Sequence, residues 1–457
     1  MQAPPAPRQN GPTRQNGATW QNWSGDVRSR PARTVTPSTP DEVAEAVGAA
    51  RRDGLRVKAV GSGHSFTSIA ATDGVLLRMD RLDGIHSVDR ASGLVTVGGG
   101  MPLHRLNPLL AEHGLALENM GDIDRQTITG AVSTGTHGTG VRFGSLSTQL
   151  RALDLVLADG TAVHCSADEN PELFSAARVG LGALGVITAV TLQCVPSFAL
   201  RCVEQPMPLD RVLDGLDELV DGSDHFEFFW FPHTRTALTK RLTRLPADAT
   251  LAPVSPLRRW FDDDFVTNTA YEGLLRLGAR FPAAVPAITR FATAAVSARD
   301  FTDVSHRVFA SRRDVRFREG EYAVPREHAA EVIREIGRWT DTHDEKVSFP
   351  LEVRFSAADD IPLSPGHGRA GAYIAFHQYH RMPYETYFDA VQSIFDTADG
   401  RPHWGKLHRL DAERLRRRYP RFDEFTALRD RLDPEGVFRN AYLDRVLGIP
   451  GDSDRIG

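Results

Sequence analysis

The spacing of apolar positions changes several times along the chain, and each change marks an element. Val43, Ala46, Val47 and Ala50 recur at helical spacing behind Thr39-Pro40-Asp41-Glu42, a capping sequence, and Asp53-Gly54 ends the helix. Residues 55–60 then read as a short strand, as do the β-rich runs 74–79 and 93–98, each bounded by turn residues. A helix is predicted from Leu103 to His113, stopped by Gly114, and another over 170–179 before a strand at 186–195. Beyond Pro196 the texture shifts to helices with charged faces, 209–220 and 327–340, and to alternating strands at 225–231, 351–355 and 371–377. The fold class is therefore α+β, with a domain boundary near residue 198.

Two stretches break the periodicity with glycine. Val60-Gly61-Ser62-Gly63-His64-Ser65-Phe66 leaves a strand, and its two close glycines allow a sharp turn that points successive N–H groups into one concavity suited to phosphate or pyrophosphate. It is neither a Walker loop, lacking Lys-Ser/Thr, nor a Rossmann fingerprint, having Phe66 where a third glycine is needed. The stretch 121–140 reads as one long loop, too dense in Gly, Thr and Ser for a helix or a packed strand and suited to wrapping a polar ligand. Gly180-Leu181-Gly182-Ala183-Leu184-Gly185 has the G-x-G-x-x-G spacing but leaves a helix and opens a strand, so it reads as a tight turn rather than a nicotinamide site, with cofactor contact limited to backbone at Val186 and Ile187.

Composition narrows the function classes. The chain has 457 residues, 41% hydrophobic, with a net charge of −5, enough for two or three cored domains and without the basic balance of a nucleic-acid binder. Cys165, Cys194 and Cys202 form no CxxC pair and no even disulfide framework, which suits a reducing cytoplasm and argues against structural zinc. The first residues are rich in Pro, Gln and Asn and read as a disordered tail, with no apolar export segment. The stretch 281–296 is too broken to span a membrane and reads as a packed helix pair, with contact at a membrane surface as the alternative.

Two residue groups in the second half could carry chemistry. Glu352 and Arg354 share one strand face, either as a reactive pair or as a solvated ion pair on a sheet edge. Pro402-His403-Trp404-Gly405-Lys406-Leu407-His408 is dense in polar groups, but no carboxylate lies at ligand spacing, so no metal is assigned; residues 401–419 otherwise read as a basic helix.

Taken in order, the loop 60–66 with His64, the glycine cluster 119–140, the turn 182–187, the strand Glu352-Val353-Arg354, the cluster 403–406 and the tail Asp433-Pro434-Glu435-Gly436-Val437-Phe438-Arg439-Asn440 resemble the aldonolactone oxidoreductases, within the vanillyl-alcohol-oxidase (PCMH-type) class of FAD proteins. The resemblance runs from Trp20 to Leu447. It implies a tail (1–19), a two-subdomain FAD-binding domain (20–198), a substrate or cap domain built on a large antiparallel sheet (199–399), a segment returning to the flavin (400–447) and a final tail (448–457).

The resemblance also implies roles. His64 would bond covalently to the flavin, Gly61, Ser62, Gly63 and Ser65 would hold the pyrophosphate, and Thr127, Gly130, Ser133, Thr134, Gly135, His137 and Ile187 would line the ring and its tail. Glu352, Arg354 and Lys406 would be catalytic, Lys406 also touching the flavin, with His377 and Tyr379 in the substrate pocket and Gly121 leaving room for oxygen. Asp122 departs from the small residue of the family pattern, which bears on substrate choice. The implied reaction is oxidation of a sugar lactone at the C2 hydroxyl with O2 as acceptor, releasing H2O2. Alternatives are an alditol oxidase, a dehydrogenase passing electrons to a quinone or cytochrome, and a flavin-binding protein without turnover; retention of Glu352, Arg354 and Lys406 together argues against the last.

Overall fold

The computed structural model describes residues 13–15, 17–255, 258, 268–295, 297–311 and 313–450. Of the tail expected over 1–19, residues 1–12 and 16 lie outside the described residues, and Thr13–Gln15 is a strand paired antiparallel with Arg33–Thr36, contrary to the expectation of disorder. Of the expected tail 448–457, residues 451–457 lie outside the described residues.

Three sheets carry the chain. In the first, Arg33–Thr36 and Val57–Val60 flank Val75–Arg78 and both run parallel to it, a pairing that needs a crossover. Helix Pro40–Arg52 supplies it: Thr39 caps its N-terminus by accepting from the Glu42 N–H, and Val43, Val47 and Ala50 are buried. These join Val35, Val57, Val75 and Leu77 in a core that also contains Val437 and Phe438 from the far end of the chain. The second sheet has five antiparallel strands in the order Ala162–Ser166, Leu150–Val156, Val186–Gln193, Leu94–Gly98 and Ile85–Asp89. The turn before Val186–Gln193 follows helix Pro171–Ala177, and Leu181 (φ 56°) and Gly182 (φ 62°) both take left-handed backbone there, so it is the helix-to-strand turn that its context predicts.

The third sheet has eight antiparallel strands, in the order Arg299–Val304, Phe198–Pro208, Thr236–Pro246, His225–Trp230, Leu351–Ser356, Gly371–Tyr379, Phe317–Pro325 and Arg401–Pro402. Period two separates its faces. Phe226, Phe228, Val353, Phe355, Ile374 and Phe376 form one core with Ile333 and Ile336 of helix Ala329–Thr342 and Val391 and Phe395 of helix Glu385–Thr397. The other face carries Glu227, Glu319, Glu321, Glu352, Arg354 and His377, all buried. Leu351–Ser356 lies between two neighbours, so Glu352 and Arg354 are not a solvated edge pair.

Three local expectations change. Within 121–140, Ile128–Ser133 is a helix, because Thr127 caps it and Ile128, Ala131 and Val132 give it a buried side. The helix expected at 209–220 is split at Gly215 into Leu209–Asp214 and Leu216–Asp221. Residues 401–419 are not one basic helix: Arg401–Pro402 is a strand, the next residues form a loop that buries Trp404 completely, and only Ala412–Arg416 is helical. The stretch 281–296 begins with a 3-10 turn, Pro282–Ala284, and continues as helix Val285–Ala295, whose Val285 packs with Leu275 of helix Tyr271–Arg280. Among the described residues no helix is long and apolar enough to cross a membrane.

Candidate active site

A cleft open to solvent at its mouth is lined by residues 61–65, by Thr127, Gly130, Ser133 and Thr134 around the short helix, and by the turn from Gly180 to Ile187. The loop 61–65 is held from outside by the turn between the short antiparallel strands Trp20–Gln21 and Arg28–Ser29: Trp23 N–H donates to the Gly63 carbonyl (2.8 Å) and Asn22 Nδ2 to the Ser65 carbonyl (3.0 Å). Among the described residues, the backbone N–H groups of Ser62, Gly63, His64 and Ser65 donate to no protein acceptor. Four successive donors without partners, in a left-handed glycine turn (Gly63, φ 69°) on a cleft wall, are what an extended pyrophosphate requires. Gly61 serves a closer approach, since a Cβ there would lie 1.9 Å from Thr127 Oγ1. The residues present therefore fit a dinucleotide such as FAD.

His64 sits on the cleft wall with its ring stacked on Trp23, centroids 5.8 Å apart at 23°. Burial, reinforced by the charges of Lys406 and Arg125, lowers its pKa to about 4, so the imidazole is neutral at pH 7. Lys58, which no sequence pattern singles out, also lines the cleft; it donates to the carbonyls of Gly182 (3.1 Å) and Phe438 (3.2 Å), and burial lowers its pKa to about 7.

Between the cleft and the large sheet runs the loop after Arg401–Pro402. Phe66 N–H donates to the Gly405 carbonyl (2.7 Å), and the Lys406 ammonium lies over the Phe66 ring, 5.2 Å from its centre, while pairing with Glu319. Glu319 also faces His377 Nε2 at 3.3 Å, and His377 Nδ1 lies 2.8 Å from the Pro350 carbonyl. Arg354 makes three ion pairs: its Nε with Glu227 (2.8 Å), and its Nη2 with Asp122 (3.2 Å) and with Glu352. Asp122 is held a second time by Arg313 at 2.9 Å. Glu352 Oε1 is the oxygen that meets Arg354 Nη2, so the buried carboxyl is paired on one side with a guanidinium. Burial pushes the Glu352 carboxyl up to about 7; Arg354 opposes the shift, and Asp122 and Glu227 add to it.

A buried carboxyl poised near neutrality beside a fixed guanidinium has the properties of a group that exchanges a proton. The sequence matches the D-arabinono-1,4-lactone oxidase family over residues 190–446 and the FAD binding domain over residues 31–166. The chain belongs to the D-arabinono-1,4-lactone oxidase family. It is 47% identical to the L-gulono-1,4-lactone dehydrogenase of Mycobacterium tuberculosis, covering 94% of this chain and 99% of that protein. It is 38% identical to the L-gulonolactone oxidase of Bos taurus (94% and 98% covered) and 34% identical to an alditol oxidase of Streptomyces (93% and 98%). The cholesterol oxidase of B. sterolicum has the same fold, with a TM-score of 0.81 at 20% identity over 97% of this chain and 100% of that one. Family membership makes this aldonolactone oxidase relative an FAD-linked oxidoreductase.

Of the residues that the sequence singles out, Gly61, Ser62, Gly63, His64, Ser65, Thr127, Gly130, Ser133, Thr134 and Ile187 line the cleft. Gly135 does not; it packs on Pro365 and Val179. His137 is buried beneath the sheet, its Nε2 3.0 Å from Glu321 and its ring 3.7 Å from that of Tyr373. Gly121 borders the backbone of the same loop: a Cβ there would lie 3.0 Å from the His137 carbonyl oxygen, so a side chain would press on that carbonyl whether or not oxygen passes. Tyr379 is turned away from the Arg354 cluster, its hydroxyl donating to Glu272 (2.6 Å) of helix Tyr271–Arg280. Glu227, Arg313, Glu319 and Glu321 escape sequence reasoning; for the glutamates the signal that could have found them is an acidic residue at alternate positions of a largely apolar strand, as in Phe226-Glu227-Phe228, whereas no pattern marks Arg313.

Proposed function

We propose that the protein oxidises a sugar γ-lactone of the L-gulono-1,4-lactone type at its C2 hydroxyl, giving a 2-keto-lactone that tautomerises to an ene-diol of the ascorbate kind. The observation that carries this reading is Glu352, a buried carboxyl with a pKa near 7, paired with Arg354. When bound, FAD supplies the acceptor for the hydride that leaves the carbinol carbon. Glu352 takes the hydroxyl proton as that carbon is oxidised. Arg354 and Lys406, both fixed by carboxylates, present positive charge to the oxygen that loses its proton. His377, held through the Pro350 carbonyl and Glu319, contributes a polar wall. The loop 403–406 packed on Phe66 excludes water between the cleft and the sheet.

Two finer assignments belong to the same reading. His64 carries a covalent bond to the flavin, supported by its neutral imidazole on the cleft wall. Oxygen is the electron acceptor and hydrogen peroxide its product, supported by the likeness to oxidases; the relative named a dehydrogenase supports the second reading, a different acceptor. Anaerobic bleaching of the flavin by L-gulono-, L-galactono- and D-arabinono-lactones and by xylitol tests the substrate class. Bleaching by xylitol alone would reassign the protein as an alditol oxidase. Rapid reoxidation in air supports the oxidase; slow reoxidation with fast turnover on a quinone or cytochrome overturns it.

A further inference from the structure

Charged residues cross the large sheet in a single register row. Arg299 opposes Glu204, Glu204 opposes Lys240, Lys240 opposes Glu227, and Glu227 opposes Arg354, so five adjacent strands place five side chains of alternating sign on one face. The contacts are direct at both ends: Arg299 Nε to Glu204 Oε2 is 2.6 Å, Lys240 Nζ to Glu227 Oε1 is 2.8 Å and Arg354 Nε to Glu227 Oε2 is 2.8 Å. Both oxygens of Glu227 are thus occupied, one by each cation, and Glu227 is only 4% exposed. A buried charge row of this kind costs desolvation, and burial with unpaired ends would be costlier still, so stability alone is a weak reason for it. Its inner end offers another. Glu227 grips Arg354 through Nε, which leaves Nη2 aimed at Glu352 and Asp122.

We infer that Lys240 and Glu227 are positioning residues that set the orientation of Arg354 and, through it, the proton affinity of Glu352. The inference rests on the reading of Glu352 as the proton acceptor. The charged groups that face Glu352 are Arg354 on its own strand, Glu227 on the neighbouring strand, Asp122 on the loop that precedes the short helix, and Arg313 on the loop before Phe317–Pro325. Lys240 acts on this set from behind Glu227, and its own other neighbours are Cys202 and Glu204. Removing the Lys240 cation makes the group more negative by one charge, and Glu352 must then hold its proton more tightly. Removing the Glu227 anion does the reverse. Neutralising both restores the balance of charge but leaves Arg354 without its grip.

The test is the pH dependence of anaerobic flavin reduction, together with an infrared titration of the protonated carboxyl band in unreduced protein, assigned to Glu352 by its loss in Glu352→Gln. Lys240→Met should move both the kinetic limb and the infrared midpoint alkaline by roughly one pH unit, and Glu227→Gln should move them acid by a similar amount. Lys240→Arg should keep the wild-type midpoint. The double variant Lys240→Met/Glu227→Gln, which leaves no unpaired charge, should fold where a single variant does not; it should titrate near wild type yet reduce flavin more slowly. Unmoved midpoints in well-folded variants, or shifts of the same sign in both, overturn the inference. A wild-type limb that survives Glu352→Gln overturns instead the reading of Glu352 on which it rests.

Discussion

In the cofactor cleft the chain presents backbone: residues 62–65 offer N–H groups, and Gly61 gives up its side chain so that Thr127 can approach. On the face of the large sheet it presents side chains, with Glu227, Glu352, Asp122, Arg313 and Arg354 meeting inside a few ångströms. The first region binds with dipoles of fixed position that do not titrate. The second holds charges whose protonation each neighbour adjusts. A cleft of backbone donors suits a cofactor whose charge is constant through turnover in its phosphate part, and a cluster of ionisable side chains suits the place where a proton changes hands. Substitutions should therefore fail differently in the two regions, through binding in one and through rate and pH profile in the other.

The largest effect is expected on the sheet face. Arg354→Ala should slow flavin reduction at saturating substrate on the order of 10² to 10³ with flavin content preserved, measured by anaerobic stopped flow. Wild-type speed in that variant would make the pair with Glu352 purely structural. Next comes the pH profile: as a base, Glu352 works only when deprotonated, and its raised pKa means that the reduction rate should climb as pH rises through about 7. Glu352→Gln should be slow and flat over the same range. In the cleft, His64→Ala should release its flavin into the supernatant on acid precipitation, whereas the wild-type pellet stays yellow; a colourless wild-type pellet would remove the covalent bond. Gly61→Ala should cost about 1–3 kcal/mol through overpacking against Thr127 and lower flavin occupancy, read by thermal melting and by absorbance ratio. The smallest effect is expected at Gly121→Ala, where the His137 carbonyl must yield slightly. Reoxidation in air that is unchanged there would leave Gly121 a packing residue with no part in oxygen access.

The same contrast explains what could be read in advance. The loop 60–66 is contiguous, and glycine spacing announces its turn, so the cleft residues were legible before any fold was known. Glu352 and Arg354 were legible because period two puts them on one face, but their burial was not, since whether a strand is central or at an edge depends on partners more than 100 residues away, as with Glu227 at a separation of 127. The helix Ile128–Ser133 was hidden because its glycine and β-branched residues oppose helix formation, and a cap at Thr127 with a buried face outweighs them. Gly135 and His137 were placed with the cofactor by their neighbours in sequence; the chain turns between them and the cleft and carries His137 to Glu321.

The C-terminal motif from Asp433 to Asn440 bears on how the protein is made. Val57 N–H donates to the Val437 carbonyl, Lys58 reaches the Phe438 carbonyl 380 residues away, and Asn440 Nδ2 donates to the carbonyls of Ser68, Ile69 and Ala71. The strand that leads into the loop carrying His64 is thus fastened by residues some 380 positions further along the chain. Until those residues have been made, the loop lacks its back support, so cofactor capture must wait for the segment 433–440 to be synthesised and docked.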